Sequence, residues 1–253
     1  MRSATEVRPQ ALALVVLLVP LAGLGAAGLA HVGGAAQPLH AALLTWGLAT
    51  AGGLIILQAL ERMNYPHSRL GVCNIMTLLR AAAITMLAGL LATPEVLHPE
   101  TGLGWALVVL AVITLMLDGV DGWAARRSGL RSEFGARFDM EADVGFAIVM
   151  AALAWQSGQV GIWFLALGLL RPAFLLAALL LPALRHPLPD AYWRKSIAAV
   201  QMGVQVAILT PIIAPTVAQL LGASLLLGVA LGFAVDIRWL LTRAQRDACA
   251  AQA

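Results

Sequence analysis

Carboxylates concentrate between Asp118 and Asp143, where two long apolar runs of the chain approach each other. Asp118 and Asp121 close the first run, and Asp139 and Asp143 open the second. A carboxylate at the centre of a membrane helix costs roughly 2.5–3.5 kcal/mol on insertion scales. Such residues persist where they have a cationic partner and a function. We therefore treat this stretch as the candidate site.

The spacing of the four aspartates indicates how they meet. Asp118 and Asp121 are three residues apart and Asp139 and Asp143 are four apart, so each pair lies on one face of a helix. Serine and glycine in the intervening residues 127–134 predict a turn. The stretch thus predicts a two-helix hairpin with four facing carboxylates. Divalent cations must relieve their repulsion, and oxygen ligands favour Mg²⁺ or Mn²⁺.

The full pattern is Asp-x₂-Asp-Gly-x₂-Ala-Arg-x₈-Gly-x₃-Asp-x₃-Asp. It resembles the signature of the CDP-alcohol phosphatidyltransferases (CDP-alcohol phosphotransferases), integral membrane enzymes, and every fixed position matches. The matching residues are Asp118, Asp121, Gly122, Ala125, Arg126, Gly135, Asp139 and Asp143.

The resemblance implies an activity. A phosphatidyl group would pass from a CDP-linked lipid, CDP-diacylglycerol, to a small alcohol, with release of CMP. It also implies two Mg²⁺ (or Mn²⁺) ions per site. Their ligands would be Asp118, Asp121 and Asp139, with Asp143 at the second metal. By the same resemblance, Asp143 is the base that takes the proton of the alcohol.

Contacts to the CDP-lipid are implied in the same way. Gly122 and Ala125 lack bulk, so cytidine can lie against the helix, and Arg126 can pair with phosphate oxygens. Gly135 would let the second helix start tightly against the ligand, and Ser132 matches a position that touches the nucleotide.

A second stretch, Asn74-x₂-Thr77-x₂-Arg80, opens the third apolar run. It is similar to a stretch on the first core helix of the family that faces the nucleotide, which implies that Asn74 and Thr77 bind the CDP-lipid. The residues alone leave a simpler interpretation open. Asn74 and Thr77 would cap the helix, and Arg80 would extend its side chain to the membrane surface.

Three basic residues are candidates for binding the acceptor. Arg171 lies within the sixth apolar run, and Arg194 and Lys195 stand at the start of the seventh. We expect them to bind a phosphorylated alcohol, of the glycerol 3-phosphate or inositol phosphate type. Two alternatives remain: Arg171 pairs with a motif acid, or Arg194 and Lys195 only reach the membrane surface. An unphosphorylated acceptor such as serine or choline is the alternative substrate.

Composition sets the fold class. The chain has 253 residues, of which 60% are hydrophobic and only 11% charged, and its mean hydropathy is +0.86. These values lie outside the range of soluble domains. They predict an all-α polytopic membrane bundle of about eight helices, at residues 11–30, 40–60, 74–93, 103–126, 136–157, 160–182, 195–214 and 217–240.

We expect four parts along the chain. Residues 1–60 form an additional pair of membrane helices, and 61–73 a short amphipathic segment at the interface. Residues 74–240 form the six-helix catalytic core implied by the resemblance, and 241–253 a polar cytoplasmic tail. The net charge of +3 is not typical of a protein that binds nucleic acid. We therefore expect the bilayer, and no nucleic acid, as a partner.

Lysine and arginine lie almost entirely on one side of this topology. By the positive-inside rule, both termini and the aspartate hairpin are cytoplasmic, and we expect a multi-pass protein of the inner (cytoplasmic) membrane. Family resemblance implies a homodimer.

Two other functions use acidic residues in a membrane. A Mg²⁺-dependent prenyltransferase would need a second aspartate-rich cluster on a separate helix pair, and this chain has no such cluster. A cation transporter would place acids near the bilayer midplane within symmetric halves. The aspartates instead cluster at one edge of the predicted bundle, and no internal repeat is visible.

Overall fold

The structure is a computed structural model that describes residues 2–63, 65–98, 103–128, 132–186, 188–189 and 192–250. Within these ranges, side chains are described for all residues except 2–6, 120–128, 192 and 247–250.

Eight α-helices make up the described chain, which contains no strand. Short 3-10 turns stand at Leu90–Ala92, Pro94–Leu97, Ile162–Phe164 and Pro182–Arg185. The all-α membrane bundle predicted from composition is confirmed. In chain order the helices are α1 (Arg2–Val32), α2 (Pro38–Arg62), α3 (Val72–Gly89), α4 (Gly104–Ser128), α5 (Glu133–Gln156), α6 (Leu165–Leu180), α7 (Tyr192–Ile208) and α8 (Pro215–Ala250).

Five segments of the described chain are long and apolar enough to cross a bilayer. They lie in α1, α2, α3, α6 with its preceding 3-10 turn, and α8. In α4 the apolar part with described side chains is Gly104–Gly119, and Asp118 lies within it. The first half of α5 carries the rest of that motif, and α7 has only 17 residues. The three helices outside this group, α4, α5 and α7, therefore belong to the part of the chain that carries the candidate site.

Most of the main core lies between the helices that follow α2, although Ala26 and Ala30 of α1 and Ala41 of α2 also belong to it. Leu87 of α3, Leu107 of α4, Met150 of α5 and Val206 of α7 are buried in one apolar cluster. Helices α5 and α6 approach especially closely, since a Cβ atom at Gly168 would lie 2.7 Å from the backbone of Ile148. Glycine therefore permits the packing of the two helices that carry Asp143 and Arg171.

A second apolar cluster joins the additional helices α1 and α2 to the core. It includes side chains of α1, α2, α3, the start of α5 and the 65–71 segment between α2 and α3. Its buried members are Val7, Ala11, Leu57, Leu60, Tyr65, Leu70, Leu78 and Phe134. Both α1 and α2 also pack directly on α3. The additional pair of helices is thus part of one packed body with the candidate site.

Two helix ends differ from the sequence-based expectation. The 65–71 segment, in contrast, lies within the predicted 61–73 segment; it contains no helical turn and buries Tyr65, because Pro66 and Gly71 interrupt the chain. Helix α7 ends at Ile208 rather than 214, since Pro211 follows and the residue before a proline avoids the helical conformation. Helix α8 continues to Ala250 instead of ending near 240, because no glycine or proline interrupts its polar end.

Candidate active site

Three of the four predicted carboxylates meet at one point. Asp118 lies near the end of α4, and Asp139 and Asp143 lie one turn apart in the first half of α5. One ligand oxygen from each of the three lies within 4.8 Å of the other two. The hairpin of α4 and α5 therefore brings the carboxylates together as their spacing predicts. The fourth, Asp121, has its side chain outside the described residues, although its backbone continues α4.

Arg80 of α3 holds the three carboxylates. Its Nη1 atom lies 2.8 Å from Oδ1 of Asp118 and 2.6 Å from Oδ1 of Asp139, and its Nη2 donates to Oδ1 of Asp143 at 2.6 Å. The Arg80 side chain is 2% exposed, whereas those of the three aspartates are 31–41% exposed. Hydrogen bonds between ions are about twice as strong as neutral ones. This single guanidinium makes the cluster of like charges tolerable.

The simpler interpretation of the Asn74–Arg80 stretch is therefore wrong. Helix α3 begins at Val72 and its N-cap residue is Gly71, so neither Asn74 nor Thr77 caps it. Arg80 does not reach the membrane surface, because the three carboxylates hold it inside the protein. A buried cation needs an anionic partner, and here the partners are the motif acids.

Asn74 and Thr77 are buried and hydrogen-bonded within the protein. The Thr77 hydroxyl donates to the carbonyl oxygen of Cys73 at 3.0 Å. The Asn74 amide donates to the Tyr65 hydroxyl at 3.0 Å. A Cβ atom at Gly135 would lie 2.8 Å from Oδ1 of Asn74. Asn74 thus connects the 65–71 segment to the start of α5, and the close neighbour that requires glycine at position 135 is this amide.

Ser132 is the N-cap residue of α5. Its hydroxyl oxygen accepts a hydrogen bond from the backbone N–H of Gly135 at 3.0 Å. Such a cap is worth about 1 kcal/mol and defines where α5 begins. Gly122, Ala125 and Arg126, which the resemblance assigns to the CDP-lipid, lie on the last turns of α4, where side chains are outside the described residues.

A cavity of about 350 Å³ opens beside the carboxylate cluster. Asp143 forms one part of its wall, and Arg171, Arg194, Gln201 and Asp236 contribute the other polar groups among the described residues. The rest of the wall consists mainly of apolar side chains from α5, α6, α7 and α8. Asp143 therefore belongs to both the cluster and the cavity.

The predicted acceptor residues have different positions. Arg171 lines the cavity and pairs with none of the carboxylates whose side chains are described, so its pairing with Asp118, Asp139 or Asp143 is not observed. Lys195 is exposed and lies outside the cavity wall. The structure thus places Arg171 and Asp143 in the wall of one cavity and leaves Lys195 outside it.

Arg194 is paired with an acid that the sequence analysis missed. Its Nε atom lies 3.0 Å from Oδ2 of Asp236 on α8, and its Nη1 donates to the carbonyl oxygen of Pro189 at 2.6 Å. Its guanidinium also lies 5.3 Å from the centre of the Trp193 ring. The sequence does contain a signal for this pair, because Asp236 is a lone acid in an apolar run and such acids need a partner.

The three described carboxylates fit a hard divalent cation. They offer only oxygen atoms, they converge, and their partial exposure leaves a path for an ion. Mg²⁺ and Mn²⁺ favour such ligands over nitrogen or sulphur donors. Asp118, Asp139 and Asp143 could therefore hold a metal ion in exchange for some of their contacts with Arg80.

We predict that Arg80→Ala destabilises the metal-free protein by on the order of 3 kcal/mol, because three carboxylates lose their buried counter-ion. Added Mg²⁺ should recover more stability in this variant than in the wild type. The measurement is the thermal unfolding midpoint in detergent, with EDTA and with Mg²⁺.

Arg8→Ala is the matched control for this prediction. Arg8 pairs with Glu61 at 2.9 Å, but both side chains are about half exposed, so its removal should cost less than about 1 kcal/mol. Equal unfolding midpoints for the two variants in EDTA would contradict a central role for Arg80.

Comparison with known proteins agrees with this geometry. The family model described as CDP-alcohol phosphatidyltransferase matches residues 70–235. The match includes Arg80, the whole aspartate motif, Arg171 and Arg194, and it leaves α1 and α2 outside. No curated protein and no solved structure matches the chain. Since the family model covers well over half of its length, the chain belongs to the CDP-alcohol phosphatidyltransferase family.

Proposed function

We propose that this protein transfers the phosphatidyl group of CDP-diacylglycerol to a small phosphorylated alcohol and releases CMP. Membership of the family supports the transfer of a phosphatidyl group from a CDP-alcohol. The observation that carries the finer proposal is the position of Asp143, which belongs to the carboxylate cluster and also lines the neighbouring cavity.

The carboxylate cluster is the proposed site of the diphosphate. Asp118, Asp139 and Asp143, together with Asp121, would hold two Mg²⁺ or Mn²⁺ ions, which neutralise the diphosphate and the departing phosphate of CMP. The proposed contacts to the CDP-lipid come from the end of α4 and from the facing starts of α3 and α5. They are Asn74, Thr77, Gly122, Ala125, Arg126, Ser132 and Gly135.

Asp143 is the proposed general base. The acceptor hydroxyl oxygen attacks the phosphorus that bears the diacylglycerol, the bond from that phosphorus to the oxygen of CMP breaks, and the hydroxyl proton passes to the Asp143 carboxylate. An acceptor in the cavity would stand beside this carboxylate, since Asp143 forms part of the wall. Holding the two substrates on either side of one carboxylate orients them for the reaction.

The charges of the cavity favour an anionic acceptor. Arg194 is neutralised by Asp236, whereas Arg171 has no carboxylate partner among the described side chains. An arginine in a largely apolar wall gains most from a phosphate, to which it can donate two parallel hydrogen bonds. Choline carries no anionic group to pair with this charge and serine offers a single carboxylate, whereas Asp236, the acid that could bind their ammonium groups, is already paired with Arg194.

The remaining proposals concern the setting of the reaction. Positive charge on one side of the predicted topology supports a site and both termini on the cytoplasmic side of the inner membrane. The resemblance supports a homodimer, and the extent of the family match supports a catalytic core that excludes α1 and α2.

The proposed reaction can be tested directly. Purified protein given CDP-diacylglycerol, Mg²⁺ and a panel of acceptors should release CMP fastest with glycerol 3-phosphate or an inositol phosphate, and EDTA should abolish the release. Product lipids can be identified by mass spectrometry. Faster turnover with serine or choline would overturn the assignment of the acceptor, and undiminished CMP release in EDTA would overturn the role of the metal.

Asp143→Asn should keep its affinity for CDP-diacylglycerol and lose turnover. Removal of a general base typically lowers the rate by about 10²–10⁴-fold. The matched control is Glu141→Gln, which removes a charge from an exposed position on the same helix and should leave kcat nearly unchanged. Normal kcat for Asp143→Asn would exclude this residue as the base.

Arg171→Gln should raise KM for the phosphorylated acceptor about tenfold or more, since a hydrogen bond to a charged group is worth about 1.5–3 kcal/mol. KM for CDP-diacylglycerol should stay near its wild-type value. The matched control is Lys195→Gln, which removes an exposed charge outside the cavity. A larger effect of Lys195→Gln than of Arg171→Gln would contradict the assignment of the cavity.

A further inference from the structure

Tyr65 lies outside every motif that the sequence analysis identified, yet it is fully buried beside the candidate site. Its hydroxyl receives hydrogen bonds from the Asn74 amide at 3.0 Å and from the Gly71 backbone N–H at 3.4 Å. The same hydroxyl donates to the carbonyl oxygen of Arg69 at 3.3 Å. Burial raises the pKa of this hydroxyl, so it remains a neutral donor at physiological pH.

These hydrogen bonds orient the Asn74 side chain. Because its amide nitrogen donates to Tyr65, its carbonyl oxygen turns towards α5, where it occupies the space next to Gly135 that a side chain at that position would need. Gly135 is also the residue whose N–H donates to the N-cap Ser132. The contact between α3 and α5 at this point therefore involves the beginning of α5 itself.

The ring of Tyr65 contacts the same end of α5. It packs edge-on against Phe134, with ring centres 5.8 Å apart. Phe134 is 3% exposed and belongs to the apolar cluster that includes α1 and α2. The Tyr65 ring thus packs on Phe134, and the Tyr65 hydroxyl orients the Asn74 amide that lies beside the next residue, Gly135.

The position of this first turn determines the position of two carboxylates. Asp139 lies about one turn after Gly135, and Asp143 about one turn further on. A helix moves as a stiff rod over this length, so a shift at Gly135 displaces both carboxylates relative to Asp118 on α4. Ligand geometry for Mg²⁺ tolerates little displacement.

The additional helices α1 and α2 contact the 65–71 segment that contains Tyr65. The Gln10 side chain of α1 accepts a hydrogen bond from the Leu70 N–H at 3.1 Å and donates to the carbonyl oxygen of Ser68 at 3.4 Å. Leu60 of α2 is buried in the same cluster as Tyr65. Both helices therefore hold the 65–71 segment against the core.

We propose that Tyr65 is a positioning residue, which α1 and α2 hold in place and which sets the location of Asp139 and Asp143 through Asn74 and the first turn of α5. This inference rests on the proposed role of those aspartates as metal ligands. It assigns the additional helices a function in the reaction, namely support of the metal site from outside the catalytic core.

Tyr65→Phe tests the proposal because it removes the hydroxyl and keeps the ring. The affinity of the detergent-solubilised protein for Mn²⁺, measured by electron paramagnetic resonance without any substrate, should fall about tenfold, as expected for the loss of one to two hydrogen bonds. KM for CDP-diacylglycerol should rise with it. Wild-type values of both quantities would overturn the proposal.

Thr45→Val is the matched control for stability. The Thr45 hydroxyl is also fully buried and donates to backbone oxygens of Ala41 and Thr85, which joins α2 to α3 away from the site. It should lower the unfolding midpoint as much as Tyr65→Phe does and leave Mn²⁺ affinity unchanged. A similar loss of Mn²⁺ affinity in Thr45→Val would mean that Tyr65 affects the metal site only through the overall stability of the protein. That result would overturn the proposal.

Gln10 provides a second pair of variants, which decides the question if Tyr65→Phe does not fold. Gln10→Ala removes both hydrogen bonds to the 65–71 segment, whereas Gln10→Glu keeps the acceptor for the Leu70 N–H. Mn²⁺ affinity should fall severalfold in the first variant and return towards wild type in the second. Equal, unchanged affinities would contradict support from α1.

The measurement also separates this inference from the proposed function. If wild-type protein binds Mn²⁺ and Tyr65→Phe weakens that binding, the positioning role stands even when no acceptor in the panel is turned over. If wild-type protein turns over CDP-diacylglycerol and Tyr65→Phe matches it in Mn²⁺ affinity and KM, the function stands and the positioning role is wrong.

Discussion

One buried guanidinium determines the geometry of this site. Arg80 extends from α3 to three carboxylates on α4 and α5, and its distances to them are 2.6–2.8 Å. Removing these groups from water is costly, and close contact between opposite charges offsets that cost only when the geometry is good. The packing of α3, α4 and α5 is therefore constrained by charge as well as by apolar contact. The Arg80 side chain is 2% exposed, so its attraction for the carboxylates is screened less than it would be in water.

The two halves of the proposed reaction meet at a single residue. On one side of Asp143 lie Asp118, Asp139 and Arg80; on the other lies the cavity with Arg171. Charges are arranged differently on the two sides. Among the described side chains, the cluster combines three acids with one base, which suits a cation, whereas the cavity combines one arginine that has no carboxylate partner with the Arg194–Asp236 pair. The cluster thus favours cations and the cavity favours anions. The proposed reaction, between a metal-bound diphosphate and an anionic alcohol, requires both kinds of site next to one carboxylate.

Much of this arrangement could be predicted from the sequence, and the exceptions have physical causes. Helical spacing was sufficient to predict that Asp118, Asp139 and Asp143 converge, because both helices are local structures separated by only a few residues of chain. The partner of Arg80 was left open, since the contact between α3 and α5 joins residues about 60 positions apart. Tyr65 was missed because a buried tyrosine in a non-helical segment leaves no periodic pattern. Two helix ends differ from those predicted from hydropathy. Helix α7 ends earlier because a proline follows it, and α8 ends later because no glycine or proline interrupts it.

The length of α8 has a mechanical consequence. Its 36 residues correspond to about 54 Å of helix, well beyond the ~30 Å of a hydrocarbon layer. Asp236 lies on this rod, and from there to Ala250 no glycine or proline provides a hinge. Because the helix is continuous, a tilt of its distal, arginine-bearing end would also displace Asp236 in the wall of the cavity.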